Sequence, residues 1–292
     1  MNGAPKKSSR NVASGGALRI SSNSSICGFC DTGRNNMTAD QQPVLLELGE
    51  QKTLELFVAR PASDSSLRGA ILFVHGHQDS PRIGGRGMAE DGTLARLATW
   101  RSIIAASVSQ PGYGGSSGPP DFCGPKTQFA IRMVLDHFEQ EHDVGRSATI
   151  LYGVSRGAIA GAMVASQEPT LGGVILVAGI YDLESAYGKT IPGIRANIEA
   201  EAGTTPEAFS ARSAFLHADK IRTETRILHG RHDDRAPVDQ AIRFAEIVKR
   251  NAPVNVALFD CGHFVPFPLR RSTVLPLYDR VFGETPQQLP KL

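Results

Sequence analysis

Five residues, Gly153-Val154-Ser155-Arg156-Gly157, constrain the fold of this chain more than any other feature. They stand between Ala148–Tyr152, an apolar run that reads as a buried strand, and Arg156–Ala165, a helix rich in small residues. A serine at such a junction occupies a sharp, strained turn. Side chains two positions before or after it would collide with neighbouring backbone, so glycines stand there. Ser155 is thereby exposed at the amino end of a helix, where negative charge is favoured. G-x-S-x-G in this strand–turn–helix setting predicts a nucleophile carried at the edge of a sheet.

The rest of the chain agrees with a sheet of that kind. Val44–Leu48 and Thr53–Ala59 are short alternating segments at hairpin distance. Ala70–Val74, Ile103–Val108, Gly173–Ala178, Arg226–His229 and Asn255–Phe259 read as further strands. Helices are expected over Gly92–Trp100, Thr127–Glu141, Val238–Arg250 and Ser272–Phe282. In the second of these, Phe129, Met133, Val134 and Phe138 recur at helical spacing and predict one packed face. Gln110–Pro125 is a loop rich in Gly and Pro. Residues 180–224 are mixed helix and loop, too long for a simple connection, and predict a short cap or pocket wall. Strands alternating with helices imply an α/β fold, a mostly parallel sheet covered on both faces, with ligands beyond the carboxyl ends of the strands.

A serine hydroxyl needs a base to take its proton. On such a sheet the chain order is serine, acid, histidine. Of eight histidines, only His263 follows the candidate acids Asp233 and Asp234, and it sits in a loop just past a strand. The acid comes from the run His229 to Pro237; Asp233 is favoured over its neighbour, and can orient His263 and stabilise its protonated form. The backbone N–H of Arg156, with that of His77 in the loop His75-Gly76-His77-Gln78, is the candidate pair of oxyanion donors.

These motifs resemble the α/β-hydrolases, and from about Gly69 to Gly283 the sequence is similar to the catalytic domain of the prolyl oligopeptidase family. The similarity rests on Glu207–Ser213, Ala218–Ile221, Gly179–Leu183 and above all His229–Pro237. The resemblance implies an α/β-hydrolase fold and a Ser155–Asp233–His263 triad, Asp233 being the first acid of the Asp-Asp-Arg run. It also implies a role for Arg235 in holding a substrate carbonyl. The expected activity is hydrolysis of carboxylic esters, or of aminoacyl or peptide amides, through an acyl-serine, with no cofactor and no metal. Within these 292 residues the large propeller domain of longer family members is not expected. Gln110–Ser116 resembles a general hydrolase loop more than the oligopeptidase one, so small esters are expected to outrun long peptides.

Two rival readings compete with this one. His75-Gly76-His77-Gln78-Asp79 is an H-x-H-x-D string; with His229, His232, Asp233 and Asp234 it could make a metal-dependent hydrolase. That reading leaves Ser155 and its glycines unexplained. The other rival is a non-catalytic binding protein on a hydrolase fold.

Charge and composition exclude other classes. The formal charge is +2, from 31 Lys and Arg against 29 Asp and Glu, without the basic excess that nucleic acid requires. Gly172–Tyr181, the longest apolar stretch, is about half a membrane span, so no membrane partner is expected. Four cysteines do not make a disulfide scaffold; Cys27 and Cys30 form a lone CxxC without a second pair, and a reduced, cytoplasmic protein is expected. Residues 1–42 are expected to be a disordered leader, or in part sequence upstream of an alternative true start at Met37, with residues 43–292 forming the catalytic domain. The partner expected is a small ester or short peptide; the sequence does not set an oligomeric state.

Overall fold

The computed structural model describes residues 43–49, 52–61 and 66–284. The leader, with Cys27, Cys30 and Met37, lies outside the described residues. The elements run β1 (Val44–Glu47), β2 (Thr53–Ala59), β3 (Ala70–Val74), α1 (Arg86–Glu90), α2 (Thr93–Arg101), β4 (Ile104–Val108) and α3 (Pro125–His142). Next come β5 (Thr149–Val154), α4 (Arg156–Ala165), β6 (Gly173–Val177), α5 (Leu183–Tyr187), α6 (Pro192–Glu201) and α7 (Pro206–Ser210). The chain closes with β7 (Thr225–Gly230), α8 (Val238–Val248), β8 (Val254–Phe259) and α9 (Phe267–Phe282).

The eight strands form one open sheet in the order β1-β2-β4-β3-β5-β6-β7-β8. β1 and β2 are antiparallel to each other and β2 to β4; from β4 to β8 every pairing is parallel. Strand alternation sorts the side chains into two layers. Leu72, Ala106, Leu151, Leu176 and Ile227 face one side, with Val134 and Phe138 of α3, Ala158 and Ala162 of α4 and Phe244 of α8. Ile71, Ala105, Ile150, Ile175 and Leu228 face the other, with Leu94 and Ala98 of α2 and Leu277 and Phe282 of α9. Buried on both faces, β3 and β6 read as continuous apolar runs, while β4, β5 and β7 are apolar runs interrupted by polar residues such as Ser107, Thr149 and Arg226.

Three expectations need correction. Phe129 is exposed on α3; the packed face is Ala130, Ile131, Val134, Leu135 and Phe138, with Met133 half-buried. An i, i+4 stripe through Phe129 and Met133 lies one position off the true face, which small Ala130 helps to form. The last helix begins at Phe267, not Ser272, because Pro268 falls in its first turn, where a missing N–H leaves no bond unmade. The five-residue α1 is an addition to the expected helices, since its glycine and lack of apolar period carry no helical signal.

Residues 180–224 are α5, α6, α7 and a 3₁₀ turn, Ala214–Lys220. Among the described residues, no helix is long and apolar enough to cross a membrane.

Candidate active site

The carboxyl ends of the parallel strands converge on one pocket. β3 leads into His75-Gly76-His77, β5 into Ser155, β6 into Ala178, β7 into Asp233 and β8 into His263. Ser155 has φ +53° and ψ −113°, a region a non-glycine residue rarely occupies, and its N–H donates to Val177 O at 2.7 Å. The flanking glycines make that turn possible. A Cβ on Gly157 would stand 2.6 Å from Val74 C and 2.9 Å from His75 O. One on Gly153 would stand 2.7 Å from Ala158 Cα. Both obstacles are backbone, which cannot rotate away.

The sequence-predicted trio meets in space although Ser155 and His263 lie 108 residues apart. Ser155 Oγ lies 2.9 Å from His263 Nε2. On the other side of the ring, His263 Nδ1 lies 2.8 Å from Asp233 Oδ2 and 3.0 Å from Oδ1. With a carboxylate facing Nδ1, the ring carries its proton there and offers Nε2 as acceptor to the serine. The loop holds Asp233 through two more bonds, since Arg235 N–H and Ala236 N–H both donate to Oδ1 at 2.9 Å. Asp234 is exposed and takes no part.

Behind the acid stands His229, wholly buried, with Nε2 2.9 Å from Ala236 O and 3.2 Å from Asp233 Oδ2. Burial by itself would raise the Asp233 carboxyl. Hydrogen bonds from His229 and His263, the charge of His263 and the Ala236 N–H outweigh it, and hold the group well below the usual carboxylate range. Asp233 is therefore an anion at neutral pH, the state in which a carboxylate can orient an imidazole.

The N–H groups of His77 and Arg156 donate to no backbone acceptor among the described residues, and both residues line the pocket with Ser155. The loop that presents His77 is fixed by His75. That ring donates from Nδ1 to Gly76 O at 2.7 Å and accepts the Gln110 N–H at Nε2 at 3.1 Å. Burial lowers His75 to about 4, so it stays neutral and keeps both bonds. His77 is also lowered, first by burial and then by the Arg156 charge.

The pocket encloses about 310 Å³, its open mouth included. Its walls are mainly apolar: Phe122, Ile159, Ala178, Ile180, Ile194 and Ala236. Phe122 and Ala178 have φ of +45° and +53°, so backbone strain clusters around this space as it does at Ser155. Arg235 stands exposed at the rim, and its side chain makes no ion pair among the described residues.

The H-x-H-x-D string does not gather into a metal site. His75 is engaged at both nitrogens by backbone, and only His77 and Asp79 approach each other, at 3.3 Å. His232 pairs instead with Asp260, at 2.7 Å. No three His, Cys, Asp or Glu side chains among the described residues stand where they could share an ion.

Residues 131–271, just under half of the chain, match the model of the prolyl oligopeptidase family. A puromycin hydrolase structure superposes with a TM-score of 0.69 at 19% identity, over 85% of this chain and 40% of that one. An acylaminoacyl peptidase of Pyrococcus horikoshii gives 0.65 at 17%, over 85% and 43%. The chain has the α/β-hydrolase fold. An esterase of Pyrococcus furiosus, with a TM-score of 0.58 at 16% identity, is matched over 82% of this chain and 90% of its own length. The chain thus spans about two fifths of the puromycin hydrolase and the acylaminoacyl peptidase and most of the esterase. No curated protein matches it by sequence.

Several residues of this site carry no sequence signal strong enough to single them out. Phe122 and Ile194 reach the pocket from the Gly- and Pro-rich loop and from α6. At Arg156 the motif points to the backbone amide and says nothing of the side chain. That side chain lies buried, with Nη1 donating to Glu201 Oε2 at 2.6 Å and to the Tyr113 hydroxyl at 3.0 Å.

Proposed function

We propose that this hydrolase cleaves small carboxylic esters, and aminoacyl or short peptide amides more slowly, through an acyl-enzyme on Ser155. The observation that carries the reading is the unbroken chain from Ser155 Oγ to His263 at 2.9 Å and from His263 to Asp233 at 2.8 Å. A binding protein on this fold has no use for such a relay, nor for the strained backbone that holds the serine up.

In the first half-reaction Ser155 Oγ attacks the carbonyl carbon while His263 Nε2 takes its proton. The amides of His77 and Arg156 receive the developing oxyanion, a contribution of about 3 kcal/mol per donor in sites of this kind. Asp233 stabilises the imidazolium. The intermediate then expels the alcohol or amine, which leaves with the proton from His263. Water, deprotonated by the same nitrogen, attacks the acyl-serine and returns the enzyme to its starting state.

Esters are favoured because an alkoxide or phenolate leaves more easily than an amine, which demands full protonation. The apolar walls fit a short hydrocarbon acyl chain. Arg235, at the rim, is suited to hold a second carbonyl of an aminoacyl or peptide substrate, in line with the two peptidase-like neighbours. Residues 180–224 serve as the cap, since Ile180 and Ile194 close one wall. Cys123 and Cys261 are unpaired thiols, which supports a reducing, cytoplasmic setting.

The test is covalent. A fluorophosphonate probe should label the full chain at Ser155, an activated ester should give a burst with an acyl adduct on that residue, and Ser155→Ala should lose both. Full activity of Ser155→Ala would end the proposal.

A further inference from the structure

The residue after Ser155 carries a guanidinium, and the pocket wall beside it is mainly apolar, with the second cation, Arg235, out at the exposed rim. Arg156 is 4% exposed in its side chain; its guanidinium carbon lies 4.4 Å from the ring centroid of Phe122, another wall of the pocket. Left alone, such a cation would attract an anionic group of the substrate. Glu201, the last residue of α6, cancels it. Its Oε2 lies 2.6 Å from Nη1 and its Oε1 3.3 Å from Nη2, at 9% exposure. The neighbouring cation, Arg82, is 39% exposed and reaches Glu201 only at 4.0 Å. One donor is still open: Arg156 Nε is buried and has no acceptor among the described residues. The pocket wall therefore contains a compensated cation with one unpartnered donor, one residue from Ser155.

We infer that Glu201 is a specificity-determining residue: by neutralising Arg156 it makes the pocket select acyl chains without a terminal carboxylate. Withdrawing its charge converts the pocket to one for monoesters of short dicarboxylic acids. The inference rests on Ser155 being the nucleophile. A purely structural clasp between α6 and α4 would predict lost stability without a change of preference.

The experiment compares p-nitrophenyl butyrate with the mono-p-nitrophenyl esters of succinate, glutarate and adipate, on the full chain and on Glu201→Gln. The ratio of kcat/KM for the best diacid monoester to that for butyrate should rise at least tenfold. The gain should fall mainly in KM, because the guanidinium pairs with the carboxylate in ground state and transition state alike. Adding Arg156→Met to the variant should erase the gain. Glu201→Asp keeps the charge but retracts it, should show a smaller rise in the same direction, and decides the matter if Glu201→Gln does not fold. An unchanged ratio in a folded variant that still reacts with the fluorophosphonate overturns this inference alone. Absence of labelling in the wild type overturns it together with the serine mechanism.

Discussion

Replacing Asp233 by Asn is the substitution whose consequence follows most directly from the geometry. Oδ1 accepts two loop N–H groups, from Arg235 and Ala236, each at 2.9 Å. In the Asp233→Asn variant the amide oxygen must keep that place, because turning the NH₂ there would set donor against donor. The NH₂ then occupies the Oδ2 position, 2.8 Å from His263 Nδ1 and 3.2 Å from His229 Nε2. A donor facing Nδ1 forces the ring proton onto Nε2, so the nitrogen facing Ser155 no longer accepts. Size, shape and both loop bonds survive, yet the base is switched off. Wrong-tautomer variants of this type lose about 10⁴ in kcat, or roughly 5 kcal/mol of transition-state stabilisation.

Steady-state ester hydrolysis measures the loss, with Asp234→Asn, at an exposed position, expected within about twofold of wild type. Acid unfolding supplies a second readout. The depressed Asp233 contributes stability above the ordinary carboxylate range and loses it as pH falls through its lowered folded value. The Asp233→Asn variant should lack that contribution. A crippled Asp234→Asn, or an Asp233→Asn variant that keeps a tenth of its turnover, would refute the reasoning.

Gly157→Ala drives a methyl to 2.6 Å from Val74 C in the central strand, and should cost about 1–3 kcal/mol or more on urea unfolding and abolish acylation; wild-type values for both would contradict the elbow geometry. His75, lowered to about 4, stays unprotonated in the folded chain while the unfolded chain takes up a proton near 6.5. Stability should therefore rise by about 3 kcal/mol from pH 4 to 6.5 and then level off. His75→Asn should flatten that part of the curve, and a slope that persists would assign it to another group.

Most of the fold is legible in the sequence because burial on both faces leaves a plain trace. β3 and β6 are unbroken apolar runs and β4, β5 and β7 are largely apolar, and three of these strands end in loops whose residues point to chemistry: His-Gly, Gly-x-Ser-x-Gly, His-Gly-x-x-Asp. Ser155 can be picked out by its motif and His263 by chain order, and the two side chains meet at 2.9 Å. What fails is finer. Phe129 reads as core because bulk is the visible half of a packing signal; the close approach that Ala130 and small α4 residues allow is the invisible half. The H-x-H-x-D string misleads for a related reason. Spacing reports which side chains could converge, but the backbone at Gly76 and Gln110 claims both nitrogens of His75.

The pairing of Arg156 with Glu201 spans 45 residues, and no periodicity connects the two. A signal exists nonetheless, in a local rule that the chain breaks. Glu201 ends α6, where the helix dipole disfavours an acid and where an exposed terminus would carry Lys or Arg. Arg156 sits at the start of α4, the end that disfavours a cation. Each charge stands at the wrong end of its own helix, and each is nearly buried. Two unfavourable placements that become favourable only in combination mark a contact worth keeping, because burying either charge alone costs several kcal/mol. Positive φ at Phe122, Ser155 and Ala178 obeys the same logic: residues that violate local preference gather where their surroundings need them. In a chain of this fold, an acid closing a cap helix and a cation just after the nucleophile are therefore worth pairing on sequence grounds alone.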